Sequence, residues 1–244
     1  MNLNLSGLNV VVTGGTAGIG AAIVECFAQE GANVAFCSRS QSNVENMLLK
    51  LQKYPVKATG AVLDVTNIEK FSDWVKSLEN IDIFIPNVSA LSGDWEASIT
   101  SDIKATVLTT EAVIPLLKKS KNAAITYVGS KASSFATPGM ESYGATKAAM
   151  THYMKSLSRG LVSDGIRVNT LSPGDTFFEG GFWEQIKNNA PDIYQSTLEG
   201  NPMNRFCTPE EVAKAVIFLS SPAASFVTGS NLLIDGGATV HVHG

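Results

Sequence analysis

Cysteine is scarce. Cys26, Cys37 and Cys207 are the only three in 244 residues. Their odd number and wide spacing exclude a disulfide framework and a zinc-finger pattern. Free buried thiols in a reducing compartment, the cytoplasm, are expected. Long hydrophobic runs are also lacking. None approaches the ~18 apolar residues of a membrane-spanning helix. The first residues, Met-Asn-Leu-Asn-Leu-Ser-Gly, lack the basic start and apolar stretch of a secretory signal, so none is expected. Positive charge is not in excess. With 18 Lys+Arg against 22 Asp+Glu the net charge is −4, which argues against nucleic acid or an anionic membrane as the main partner. Low-complexity linkers and solenoid-period repeats are missing too. Charged residues are only 16% and apolar ones 44%, too apolar for a disordered chain. Finally, there is not enough length for a second domain of ordinary size, because a single core can grow to roughly 250 residues.

What is present is an alternation. Short, nearly continuous apolar runs fall at Asn9–Thr13, Asn33–Cys37, Val56–Leu63, Ile81–Ile85, Ala123–Val128 and Arg167–Leu171, with a shorter one at Leu232–Ile234. Strands apolar on both faces are expected where helices cover both sides of a parallel sheet. Helical patterns lie between them: Gly18–Glu30, Asn43–Lys53, Ile68–Leu78, Ile99–Lys119, Ser142–Asp164 and Pro209–Leu219. The last opens with Thr208-Pro209-Glu210-Glu211, a cap followed by proline and acids. The regular β-α order predicts one α/β domain over residues 1–244, built on an open, doubly wound parallel sheet. One stretch breaks the rhythm. Gly174–Cys207 holds two short helical pieces and the aromatics Phe177, Phe178, Phe182 and Trp183 around Gly180-Gly181. Its place after a strand's C-terminal end predicts a substrate lid, with the glycine pair as hinge.

Three motifs carry chemistry. The first strand runs into Thr13-Gly14-Gly15-Thr16-Ala17-Gly18-Ile19-Gly20, and a helix follows. Glycines let the backbone turn tightly, and the helix start offers N–H groups and a positive dipole end to a pyrophosphate. Gly14, Thr16, Gly18, Ile19 and Gly20 are therefore candidate cofactor contacts. The second strand ends in Ser38-Arg39. An acid at this tip would bind the ribose 2′-hydroxyl of NAD, whereas an arginine suits the 2′-phosphate of NADP. NADP(H) is thus favoured over NAD(H).

The third motif is Tyr143-x-x-x-Lys147 on a predicted helix. Four residues apart, the two share a face, about 6 Å along the axis. An ammonium there favours the tyrosinate. Lowering a tyrosine pKa from ~10 toward ~7 takes about 4 kcal/mol of differential interaction, which the lysine and an oxidised nicotinamide could supply together. The spacing alone is weak, since chance supplies about 0.3 matches in a chain of this composition. Tyr127 and Lys131 show the same spacing at the end of the fifth strand. There four residues span about 13 Å, so Tyr127 is expected to pack on the sheet and not to work with Lys131. Ser130 separates the two pairs. It ends the fifth strand and could hydrogen-bond a substrate oxygen while Tyr143 gives or takes the proton.

Taken together, Thr13-Gly14-x-x-x-Gly18-x-Gly20, Asp64-Val65, Ser130, Tyr143-x-x-x-Lys147, Arg167-Val168-Asn169, Ser172-Pro173-Gly174, Gly229 and Asp235-Gly236-Gly237 resemble the short-chain dehydrogenase/reductase family over almost the whole chain. The resemblance implies a Rossmann-like, seven-stranded, three-layer αβα fold and hydride transfer between a nicotinamide and a carbonyl/alcohol pair, as in a carbonyl reductase. It implies that Asp64 and Val65 contact adenine and that Pro173 and Gly174 lie beside the nicotinamide. It also implies a homotetramer or homodimer. Two positions depart from the family pattern. Pro86-Asn87-Val88-Ser89 stands where Asn-Asn-Ala-Gly is usual, so Asn87 keeps its place beside a proline that lacks a donor. Counting back from Pro115, the family's fourth catalytic residue, an Asn, is here Asp102. It can still accept from water or Lys147, but its charge opposes tyrosinate formation.

The expected function is NADP(H)-dependent interconversion of a ketone or aldehyde and an alcohol, on a mainly apolar small molecule met by Ser130 and the lid aromatics. The competing reading is a non-catalytic NADP-binding sensor on the same fold, disfavoured by the intact Ser130, Tyr143 and Lys147. A sugar-nucleotide epimerase would need a longer chain. No metal is expected, because His241-Val242-His243 sits on a chain end where histidines are usually solvated. His152 falls on the helix face away from Tyr143.

Overall fold

The computed structural model describes residues 2–240. Seven parallel strands form one sheet: β1 (Asn9–Thr13), β2 (Asn33–Ser38), β3 (Ala58–Val62), β4 (Ile83–Ile85), β5 (Ala124–Val128), β6 (Arg167–Pro173) and β7 (Asn231–Ile234), ordered β3-β2-β1-β4-β5-β6-β7. The order reverses between β1 and β4. Val10 registers with Val34 of β2 on one side and Ile83 of β4 on the other. This is the doubly wound sheet expected, and its ligand crevice lies at the C-terminal strand ends beside that reversal.

The strands look uniformly apolar in sequence, yet their side chains sort with period two. Val10, Val12, Ile83, Ile85, Ala124 and Val128 join one core. There they meet α1 (Gly18–Gln29), α2 (Gln41–Leu51) and α9 (Pro209–Ser220) through residues such as Ile23, Phe27, Met47 and Val216. Val11, Phe84, Ile125 and Tyr127 join the other core. It is closed by α3 (Ile68–Ser77), α5 (Thr106–Leu117) and α6 (Glu141–Leu161) through Phe71, Val113, Met150 and Met154. Tyr127 therefore faces α6.

The helical stretch after β4 differs from the sequence expectation. The helix expected over Ile99–Lys119 begins earlier, at α4 (Trp95–Ser98), where Asp94 caps the Ala97 amide. It then passes through a π-helical segment, Ile99–Ala105, before α5. Asp102 sits in that wider turn. The segment Gly174–Cys207 holds α7 (Phe182–Asn189) and α8 (Pro191–Gly200), the two short helical pieces the sequence suggests. The Arg167-Val168-Asn169 motif proves to be a brace. The Arg167 guanidinium donates to the carbonyls of Leu219, Ser220 and Ser221 at the end of α9, and Asn169 bridges Val227 and Ser230. Among the described residues no helix is long and apolar enough to cross a membrane.

Candidate active site

A cleft of about 1060 Å³ runs along the C-terminal strand ends. The glycine loop forms its floor. Gly14 and Gly18 have φ of +68° and +49°, in the left-handed region that favours glycine. A Cβ on Gly20 would lie 2.1 Å from the Gly14 carbonyl oxygen, so this crossing admits no side chain. Ala17 places no side-chain cap on α1, which leaves the N–H groups of its first turn for a ligand. Asn87 braces the loop. Its backbone N–H donates to Thr13 Oγ1 at 3.0 Å, and its amide donates to the carbonyls of Thr13 and Gly14 at 3.1 and 3.4 Å.

The adenosine end of the cleft is lined by Ser38, Arg39, Asp64 and Val65. Thr16 Oγ1 donates to Ser38 Oγ at 2.9 Å, which ties the glycine loop to the tip of β2. Arg39 is exposed at that tip. Asp64 uses one carboxylate oxygen to hold the Thr66 amide and hydroxyl, at 2.9 and 2.7 Å.

At the other end, Ser130, Tyr143 and Lys147 line the cleft with Pro173 and Gly174. Ser130 starts a short 3-10 turn (Lys131–Ser134), and its Oγ accepts from the Ala132 amide at 3.1 Å. Tyr143 and Lys147 lie one turn apart on α6, with Lys147 Nζ 5.6 Å from the Tyr143 ring centre. Lys147 is 2% exposed and Asp102 is 0%. Their closest atoms, Nζ and Oδ1, are 3.3 Å apart. The distance is that of an ion pair, but Oδ1 receives no directed hydrogen bond from any described residue. Asp102 Oδ2 accepts from the Ala90 amide at 3.0 Å, so this carboxylate also holds the loop after β4.

Tyr127 was missed by sequence reasoning. It packs in the sheet as expected, and Lys131 does not reach it. Yet its hydroxyl accepts a 3.1 Å hydrogen bond from Lys147 Nζ. Strand parity points Tyr127 toward the helices of the second core, but only the tertiary fold shows that Lys147 is what it meets. Burial works against the Lys147 charge, but Tyr127, Tyr143 and Asp102 outweigh it and hold the amine above the ordinary lysine range. Burial pushes the Tyr127 phenol up, opposed by the Lys147 charge. Lys131 instead pairs with Asp175, joining the residue after Ser130 to the residue after Gly174.

The lid aromatics divide. Phe182 and Trp183 line the cleft, and Trp183 stacks on Phe206 at 4.9 Å. Phe178 also lines it, but on the cofactor side, where its ring fills the space a Cβ on Gly18 would take. Phe177 is a correction. It is not among the cleft residues and packs in the lid's own cluster, against Tyr194 and Phe206 at 6.2 and 6.5 Å. Phe177 thus faces the lid cluster while its neighbour Phe178 faces the cleft. Among the described residues no group of three His, Cys, Asp or Glu side chains is placed to hold a metal. His241 and His243 lie outside the described residues.

A parallel doubly wound sheet with this glycine crossing and a serine, tyrosine and lysine at one cleft defines a nicotinamide-dependent oxidoreductase. A family model described as enoyl-(acyl carrier protein) reductase matches residues 14–239. An isoepoxydon dehydrogenase of Penicillium expansum is 36% identical, with 99% of this chain and 98% of the relative covered. Solved structures are similar too, among them the following two. One is an L-sorbose reductase from Gluconobacter frateurii complexed with NADPH and L-sorbose: 28% identity, TM-score 0.89, covering 99% of this chain and 100% of that one. The other is an NADPH-bound short-chain oxidoreductase from Pseudomonas aeruginosa PAO1 described as containing an atypical catalytic center: 26% identity, TM-score 0.89, covering 97% and 100%. The chain belongs to the short-chain dehydrogenase/reductase family. It is an NAD(P)-dependent dehydrogenase/reductase acting on CH–OH groups.

Proposed function

We propose that this protein uses NADP(H) in preference to NAD(H) to interconvert a ketone or aldehyde and an alcohol on a mainly apolar small molecule. The observation that carries the reading is the convergence of Ser130, Tyr143 and Lys147 on the cleft floored by the glycine loop. A dinucleotide fits that floor, because the Gly14–Gly20 crossing brings bare backbone to the cleft and α1 offers uncapped amides, with the Phe178 ring resting against Gly18 beside them. Gly14, Thr16, Gly18, Ile19 and Gly20 would hold the pyrophosphate, and Ser38 and Arg39 the 2′-phosphate. Asp64 and Val65 would hold adenine, while Asn87, Pro173 and Gly174 would flank the nicotinamide end. The bound nicotinamide supplies or accepts the hydride.

In reduction the Tyr143 O–H donates its proton to the substrate oxygen, and in oxidation the tyrosinate takes it back. The Ser130 hydroxyl hydrogen-bonds the same oxygen as charge develops on it. The Lys147 ammonium stands beside the Tyr143 ring and would hold the ribose. Phe182, Trp183 and Phe135 give the cleft its apolar wall. Residues Gly174–Cys207 act as the lid of a single domain over 1–244. The non-catalytic sensor reading is disfavoured because Ser130, Tyr143 and Lys147 all line the same cleft. We expect Tyr143→Phe to lower NADPH oxidation with ketones, quinones or β-keto thioesters by about 10²-fold or more, with NADPH affinity kept within about twofold, a change of roughly 0.4 kcal/mol. Turnover retained at the wild-type rate would refute the assignment.

A further inference from the structure

Two phenols and a carboxylate surround the Lys147 amine. Tyr127 reaches it from β5, Asp102 from the π-helical segment, and Tyr143 stands one turn away on α6 itself. In so buried a place a carboxylate attracts an ammonium strongly, and an unhindered pair closes to about 2.7–2.9 Å along a hydrogen bond. Here the pair stops at 3.3 Å, and Asp102 Oδ1 gains no hydrogen bond. The amine gives an N–H to the neutral Tyr127 hydroxyl instead, at 3.1 Å. Both neighbours are held from other parts of the fold. Asp102 is anchored through Oδ2 on the Ala90 amide. Tyr127 is 0% exposed, set among Ile125, Met150 and Met154 and registered against Thr170 of β6.

We propose that Tyr127 is a positioning residue for Lys147: its hydroxyl holds the ammonium against capture by Asp102, so that the amine stays available to the cofactor ribose and to Tyr143. The proposal rests on the role given to Lys147 above. It explains why a chain with an aspartate at position 102 also carries a buried phenol beneath the lysine. The carboxylate adds a pull, and the phenol resists it.

The test is a double-mutant cycle read by NADPH affinity, from cofactor fluorescence titration, which needs no substrate. Tyr127→Phe keeps the ring that fills the core and removes only the hydroxyl. It should weaken NADPH binding about tenfold, the usual worth of a hydrogen bond to a charged group. Asp102→Asn keeps a carbonyl oxygen for the Ala90 amide but turns an amide nitrogen toward Lys147, which removes the pull. In that background Tyr127→Phe should cost less than about twofold, or roughly 0.4 kcal/mol. Reduction of cyclohexanone by NADPH should follow the same pattern. Equal penalties in both backgrounds, or no penalty in the wild type, would overturn the proposal and leave Tyr127 a packing residue. If Tyr127→Phe does not fold, 3-fluorotyrosine at position 127 weakens the acceptor without removing it. Its smaller loss must again vanish in the Asp102→Asn background. Lys147→Ala separates the two readings. If it leaves NADPH affinity unchanged, the role of Lys147 fails and the proposal with it. If it weakens binding while the cycle is additive, only the Tyr127 assignment fails.

Discussion

Ser38 and Arg39 stand together at the tip of β2. Arg39 is exposed and free to meet a phosphate, while Ser38 is engaged by Thr16. Ser38→Asp keeps an acceptor for Thr16 and adds a negative charge where a 2′-phosphate would lie. The ratio of kcat/KM for NADPH over NADH should fall about tenfold or more, since like charges brought together cost at least ~1.4 kcal/mol. An unchanged ratio would show that this tip does not set the choice. The two Tyr-x-x-x-Lys pairs make the same point about legibility. Tyr143 and Lys147 could be paired from the sequence, because a helix brings residues four apart onto one face. Tyr127 and Lys131 could be unpaired for the opposite reason. That Tyr127 meets the lysine of the other pair depends on β5 packing under α6, which no local spacing encodes.

Individual elements read well where their ends carry chemistry. Thr208-Pro209-Glu210-Glu211 forms a full capping box at the start of α9, with Thr208 and Glu211 each satisfying the other's amide. Thr208→Ala should lower stability by about 1 kcal/mol in urea unfolding. Glu211 adds a pH dependence. Hydrogen bonds from Arg205, and then from the Thr208 amide, hold its carboxyl down at about 2, against an ordinary 4.5. A folded-state value below the unfolded one stabilises the fold fully above about 4.5, and that stabilisation fades as pH falls toward about 2. The pair is exposed, so solvent screens much of the effect. Glu211→Gln should therefore be slightly less stable at neutral pH, with the gap to wild type closing between about 4.5 and about 2. A gap independent of pH would refute the linkage. The π-helical turn at Ile99–Ala105 was not legible. Its apolar pattern fits an ordinary helix, and its extra width shows only where Asp102 meets Lys147 and Ala90.

For the whole molecule, the edge at β7 bears on assembly. Leu232 on this strand is 37% exposed, and nearby Phe226 is 103% exposed. An apolar sheet edge left open invites pairing. We expect a homotetramer or homodimer, with this edge inside an interface. Light scattering on the purified protein should give two or four times the chain mass, and Phe226→Asp should lower it. A monomer at micromolar concentration would end that expectation.

The sequence by itself determined the strands, most helices, the glycine crossing and the Tyr143–Lys147 pair. These rest on local rules: backbone periodicity, capping and the helical repeat. Resemblance, with a count back from Pro115, also marked Asp102 as the candidate for the family's fourth catalytic position. Tertiary structure decided what these residues do to one another. It set Lys147 between Asp102 and Tyr127, turned Phe177 out of the cleft and Phe178 onto Gly18, and paired Lys131 with Asp175. The physical reason is the same throughout. Buried charges and rings are settled by neighbours distant in sequence, and those neighbours are chosen only when the sheet and its two helical layers close.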